Sequence, residues 1–185
     1  MKLKIFLIII FISLPSTIKA DLNENLINEL EEGGKLIFIR HAIAPGSGDP
    51  DNFDIIECNT QRNLDNNGKT QAKEIGNYLS SNKILIDKVI SSEWCRCKET
   101  AFLSFKNFET KNFLNSFFSA KFSKNKNKQM KELKNYIEKW QSKGNLVLVT
   151  HYVVISEALD YSSSSGEIVI SDKNFNIINS IEIKY

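Results

Sequence analysis

Two histidines, His41 and His151, and three arginines, Arg40, Arg62 and Arg96, stand out in a chain that carries the rest of its positive charge on 21 lysines. A guanidinium presents a planar fork that grips phosphate oxygens two at a time, which an ammonium cannot reproduce. Using arginine at these few positions therefore suggests that the fork matters. Arg40-His41 directly follow the apolar run Leu36–Ile39, and Thr150-His151 directly follow the apolar run Leu146–Val149. Arg96 lies a few residues past Lys88–Ser91, and Arg62 precedes the first central helix. Two imidazoles among such cations suit phosphoryl transfer. One ring attacks phosphorus and the other helps hold the equatorial oxygens. Helix N-termini at the same strand ends would add backbone N–H donors.

This chemistry requires the three strand ends to be neighbours, and the pattern of elements supports that. Leu22–Glu32 reads as a short amphipathic helix. Leu36–Ile39, after Gly33-Gly34, reads as a buried central strand. Residues 42–62 contain Pro45, Gly46, Gly48 and Pro50 without periodicity, which indicates a long loop of the functional kind. Asp65 can cap a helix reaching about Leu79, with Ala72, Ile75, Gly76 and Leu79 on one face. Lys88–Ser91 reads as a strand, followed by a helix containing Thr100, Ala101 and Leu103. Asn125–Gln141 reads as a lysine-rich helix, with Met130, Leu133, Tyr136, Ile137 and Trp140 inside and Gly144 ending it. After Leu146–Val149, His151–Leu159 is helical. Glu167–Ser171 and Ile177–Ile183 read as alternating strands paired at a sheet edge. Strands alternating with helices predict one α/β domain, residues 21–185, with a mostly parallel sheet covered on both faces as a three-layer sandwich. Sites in such sheets lie beyond the carboxyl ends of the strands.

Bulk properties narrow the function further. At 185 residues and 42% hydrophobic the chain can bury a core, and a net charge of +2 demands no nucleic acid or acidic partner. Lys2 and Lys4, the apolar stretch Ile5–Leu14, the breakers Pro15, Ser16 and Thr17, and the small Ala20 form the layout of a secretory signal peptide, residues 1–20. An uncleaved anchor is the alternative. The expectation is a periplasmic or secreted protein with no membrane contact after cleavage. No cysteine follows the apolar run to accept a lipid. Without residues 1–20 the net charge becomes −1. Export also bears on Cys58, Cys95 and Cys97. One disulfide from Cys58 to Cys95 or Cys97 suits an oxidising compartment, with three free thiols as the alternative.

The residues also resemble a known family. Leu36-Ile37-Phe38-Ile39-Arg40-His41-Ala42 resembles the strand and Arg-His signature of the histidine phosphatase superfamily, with Ala42 where the family usually has Gly. Arg62-Asn63-Leu64-Asp65, with Gly68 and Gln71-Ala72, resembles the next block. Ser91-Ser92, Arg96 and Thr100-Ala101 resemble the block of the second arginine. Val147-Leu148-Val149-Thr150-His151 resembles that of the second histidine. The four blocks occur in the family's order over most of residues 35–160. The Cys-Arg-Cys run and Ser165-Gly166-Glu167-Ile168-Val169 look like a small exported branch.

The resemblance implies a phosphoglycerate mutase-like fold and a phosphatase without metal or cofactor, acting on a phosphorylated small molecule. His41 would become phosphohistidine, and Arg40, Arg96 and His151 would bind the phosphoryl oxygens. Arg62 would line the pocket or fix the loop over it. One departure is serious. Mutase-like members carry a glutamate that protonates the leaving oxygen, and the matching stretch Leu114-Asn115-Ser116-Phe117 has no carboxylate. The acid-phosphatase branch has Asp after the second histidine, where this chain has Tyr152. A loop carboxylate (Asp49, Asp51, Asp54 or Glu57) or Glu93 could serve instead, or the substrate could carry a leaving group that needs no acid. A noncatalytic module binding phosphorylated ligands and a mutase-type phosphotransferase are the alternatives. Other chemistries fail on spacing. Cys58 and Arg62 enclose three residues where a cysteine-phosphatase loop needs five, and Cys95-x-Cys97 lacks a second paired motif for zinc. The lysines of Lys121–Lys134 read as a solvated helix face.

Overall fold

A computed structural model describes residues 26–185. The expected signal segment and the start of the expected Leu22–Glu32 helix lie outside the described residues. The first helix described, α1, covers residues 26–32. It buries Leu26 and Leu30 and ends at Gly33 and Gly34, both at positive φ.

The strands are β1 (Leu36–Arg40), β2 (Ile86–Ser91), β3 (Glu109–Thr110), β4 (Asn145–Thr150), β5 (Ile168–Ser171) and β6 (Ile177–Ile181), and they form one sheet in the order β3-β2-β4-β1-β5-β6. β1, β2, β3 and β4 run parallel, and β5 lies antiparallel between β1 and β6. The sheet is thus mostly parallel, as the alternation of elements predicts. The helices are α2 (Asn66–Ser81), α3 (Cys95–Phe105), the short α4 (Ala120–Ser123), α5 (Lys126–Lys139) and α6 (Tyr152–Leu159).

Successive strand residues point to opposite faces, so a strand covered on both sides must be apolar throughout. Ile37, Ile39, Val147 and Val149 pack with Leu30, Ile75, Leu79 and Ala101 of α1, α2 and α3. Leu36, Phe38, Leu146 and Leu148 pack on the other side with Leu133, Ile137, Val154 and Leu159 of α5 and α6. The result is the expected three-layer sandwich.

Several boundaries differ from the sequence reading. β2 starts at Ile86 rather than Lys88, because Ile86 pairs with Asn145 across a register shift. α2 runs two residues beyond Leu79, to Ser81. The helix expected over Asn125–Gln141 ends at Lys139, where Trp140 turns extended and its indole donates to Asp87 Oδ2 at 2.9 Å. β5 is buried along its whole length rather than alternating, since it sits inside the sheet. Only β6 forms that edge, and it stops at Ile181, short of Ile183. β3 and α4 have no clear periodic signal because they are only 2 and 4 residues long.

The end of the sheet away from the histidines is tied by one buried amide. Asn145 Oδ1 accepts from Lys35 N–H at 3.0 Å, and Asn145 Nδ2 donates to the Leu30 carbonyl at 2.7 Å and the Leu85 carbonyl at 2.9 Å. These bonds join α1, the start of β1 and the start of β2. Asn145→Ala should lower unfolding stability by about 3 kcal/mol, near 1 kcal/mol per lost bond. Urea unfolding checks this.

Candidate active site

The β1–β4 register places Arg40 opposite Thr150, and His41 N–H donates to the Thr150 carbonyl at 2.9 Å. The two histidines therefore leave the sheet side by side, with ring centroids 5.4 Å apart. β2 is the other neighbour of β4, and α3 begins beyond its end, so Arg96 arrives in the first turn of that helix. His41, Arg96 and His151 are each only 3% exposed. A cavity of about 570 Å³ opens over them, and Arg40, Arg62, Asp49 and Tyr152 also line it. All five residues singled out from the sequence thus converge on one pocket.

His41 Nδ1 faces the Ala42 carbonyl at 2.8 Å. A carbonyl can only accept, so Nδ1 carries the proton and Nε2 presents its lone pair. Arg96 Nε donates to that lone pair at 3.2 Å. Burial first, and then the Arg96 charge, push His41 well below the ordinary imidazole range, against the opposing bond to Ala42. The ring is therefore neutral and nucleophilic. His151 is driven the same way by burial, Arg96 and His41. Its Nε2 lies 2.9 Å from Ser92 Oγ, and Ser92 Oγ lies 3.0 Å from Asn115 Oδ1. The stretch Leu114–Phe117, lacking a carboxylate, thus supplies an amide that orders the second histidine through a serine.

The cations differ in what they hold. Arg40 Nη1 donates to the Ser163 carbonyl at 2.6 Å, while its Nε–H is buried without a partner among the described residues. Its guanidinium lies 5.7 Å from the Tyr152 ring centroid, so Tyr152 serves as a platform for Arg40. Arg62 donates from Nε to the Gly48 carbonyl at 3.0 Å and from Nη1 to the Ala44 carbonyl. It both lines the pocket and fixes the loop. Arg96 forks onto Asp49, with Nη1 to Oδ1 at 2.7 Å and Nη2 to Oδ2 at 3.2 Å. Trp94 Nε1 at 3.1 Å and Arg62 N–H at 3.1 Å also donate to Asp49. Burial alone would raise Asp49, but the Arg96 fork and these donors hold its carboxyl below the usual carboxylate range.

The other motif residues act as supports. Thr100 Oγ1 accepts from Ala42 N–H at 3.0 Å and donates to the Arg96 carbonyl at 2.7 Å, locking the loop after His41 to the helix that carries Arg96. Gln71 Oε1 accepts from Ile43 N–H at 3.0 Å, and its Nε2 donates to the Ser165 carbonyl at 2.8 Å. At Gly68 a Cβ would stand 2.0 Å from the Ile43 carbonyl oxygen, so only glycine lets α2 approach the loop after His41. Glu167 is buried and accepts from Tyr161 Oη at 2.6 Å and Ser164 N–H at 2.6 Å, shaping the loop beside Arg40. Sequence reasoning contained these residues within the quoted blocks without their partners. It missed Ser92–Asn115, and the Asp49–Arg96 pairing had no local signal because 47 residues separate the two.

Cys58 and Cys95 form a disulfide, which settles the open pairing. The bridge anchors the end of the 42–62 loop to the residue before Arg96. Cys97 is a buried free thiol, which burial raises to about 12, so it stays protonated 3.4 Å from His151 Nε2.

Comparison with known proteins agrees with this architecture. No family model matches the sequence. A broad-specificity phosphatase of Saccharomyces cerevisiae is 31% identical over 86 residues, which span 46% of this chain and only 36% of that relative's length. The fold is shared with the Rv3214 product of Mycobacterium tuberculosis at TM-score 0.57 and 15% identity, covering 80% of this chain and 96% of that one. It is shared with a phosphoglycerate mutase of Thermus thermophilus at TM-score 0.57 and 14% identity, covering 81% and 99%.

Two predictions follow from the buried groups. Both histidines have folded pKa values below the reference 6.5. As pH falls, the unfolded chain binds protons first, so stability present above about 6.5 is lost toward the lower folded values. The melting temperature should drop between pH 7 and pH 5, less steeply in His151→Asn. Calorimetry at the two pH values checks both. The disulfide closes a separation of 37 residues. Removing it by Cys58→Ser with Cys95→Ser should cost about 4 kcal/mol by loop-closure entropy, read from the denaturation midpoint.

Proposed function

We propose that this chain is an exported member of the histidine phosphatase superfamily, a phosphatase that moves a phosphoryl group from a small phosphorylated substrate to His41 and then to water. The observation that carries the reading is the unprotonated Nε2 of a neutral, buried His41, held by the Arg96 guanidinium, with Arg40, Arg62 and His151 on the same cavity wall. The partial match to a yeast broad-specificity phosphatase and the fold shared with a phosphoglycerate mutase support it.

In the first half of the reaction the Nε2 lone pair attacks phosphorus in line and the ester P–O bond breaks. The Nδ1–H bond to the Ala42 carbonyl supports the charge that develops on the ring. Arg40, Arg96 and His151 meet the equatorial oxygens. The guanidinium groups supply the charge stabilisation that a metal would otherwise bring. Water then attacks phosphohistidine and returns the electron pair to Nε2. The Cys-Arg-Cys block supports the exported branch. The Cys58–Cys95 bond supports export itself, since such bonds persist outside the reducing cytosol.

A noncatalytic module that binds phosphorylated ligands is the second reading. The amide at Asn115 and the ring at Tyr152, where carboxylates would stand, favour it. Aryl phosphate turnover by residues 21–185 across pH 4–8 separates the two. An acid-labile phosphoenzyme should be trapped on His41, and His41→Ala should lose at least about 10³-fold in rate. Saturable phosphate binding without turnover or phosphoenzyme would establish the second reading instead.

A further inference from the structure

We infer that Asp49 is the proton donor of this site, held on Arg96 until the substrate's phosphoryl group displaces it. The inference rests on the phosphoryl-transfer reading above and supplies the group that the matching stretches lack.

Of the five carboxylates that the sequence offers, three stand outside the cavity and one only at its rim. Asp54 is an exposed loop residue whose Oδ1 accepts from Ile56 N–H at 2.8 Å. Glu57 is exposed beside Cys58. Glu93 accepts from Asn115 Nδ2 at 2.6 Å, outside the cavity wall. Asp51 is exposed at the cavity rim. Asp49 alone reaches the buried cations, with its side chain 16% exposed against 4% for Arg96. One guanidinium separates it from the nucleophile, with Nε on His41 and both Nη on the carboxylate.

That fork is the group expected to grip phosphoryl oxygens, so a bound phosphate and Asp49 compete for it. A phosphate carries more charge and more acceptor oxygens than a carboxylate, and therefore takes the fork. Asp49 then loses its strongest partner and gains an anion as neighbour, and both changes favour the protonated acid. It keeps the Trp94 indole N–H and the Arg62 backbone N–H, which hold it at the mouth of the site. The charged groups around it there are Arg96, Arg62, Arg40, Lys121 and Asp51, with neutral His41 and His151 behind. As the N–P bond forms and the P–O bond breaks, the departing oxygen takes the electron pair and the Asp49 proton. In the second half the Asp49 carboxylate accepts a proton from the attacking water, whose oxygen bonds phosphorus as the N–P bond opens. As phosphate leaves, Asp49 gives that proton to solvent, and its carboxylate returns to Arg96.

The test compares the native chain with Asp49→Asn and Asp49→Ala on phosphate esters of graded leaving group, from dinitrophenyl to simple alkyl. Loss of a proton donor should lower kcat by about 10²-fold or more on the alkyl ester and less than about tenfold on the dinitrophenyl ester. The ratio of the two rates does not depend on the folded fraction, so partial misfolding leaves the outcome readable. An equal loss on every ester would overturn the inference and make Asp49 a positioning residue for Arg96. Trapping phosphohistidine from the dinitrophenyl ester separates the two levels. If the native chain forms it and the variants lose activity uniformly, only the Asp49 role fails. If the native chain forms none, the phosphatase reading fails and the Asp49 role fails with it.

Discussion

The in-register parallel pairing of β1 with β4 is the constraint on which the site depends. Side chains alternate along a strand, so a slip of one residue would exchange every core residue of β1 between faces and move His41 away from His151. The register is held because both faces of both strands are buried. Ile37, Ile39, Val147 and Val149 serve one layer, and Leu36, Phe38, Leu146 and Leu148 the other. Each such side chain contributes about 1.5–3 kcal/mol on burial, so a shifted pairing has no comparable core to offer. The same register delivers Arg40 opposite Thr150 and sets the two imidazoles on one rim.

Electrostatics at that rim follows from the crowding of like charges. Three guanidinium groups and two buried imidazoles cannot all be cationic together. The imidazoles yield, becoming neutral through burial and the Arg96 field. Neutrality leaves His41 Nε2 a lone pair, so in the proposed reaction the cations that would hold the phosphoryl group also prepare the atom that would attack it. Asp49 balances part of the remaining charge, and a buried fork of this kind is strongly destabilised when one partner is lost alone. In the proposed reaction, phosphoryl oxygens would replace that carboxylate.

The loop that carries Asp49 is long and irregular, yet it is tied at several points. Arg62 holds the Gly48 and Ala44 carbonyls, Thr100 holds Ala42, Gln71 holds Ile43, and Cys58 is bonded to Cys95. The ties from Gln71, Thr100 and Cys95 reach from α2 and α3, so the elements that cover the sheet also shape the pocket.

What the sequence by itself determined was local or periodic. Fully apolar runs ending in Arg40-His41 and Thr150-His151 implied buried strands with chemistry at their carboxyl ends, and Asp65 announced its helix by capping Gly68 N–H at 2.7 Å. Because parallel sheets bring such ends together, the convergence of His41, His151, Arg40 and Arg96 was legible in the sequence, while Arg62, in the loop, was placed there only by the resemblance. The tertiary structure decided what depends on partners far apart in the chain. It chose Cys95 over Cys97 for Cys58, placed Asn115 behind His151 through Ser92, and brought Asp49 from among the loop acids onto Arg96. No periodicity encodes these pairings. They arise from packing α3 and the 42–62 loop over a sheet whose register was already fixed.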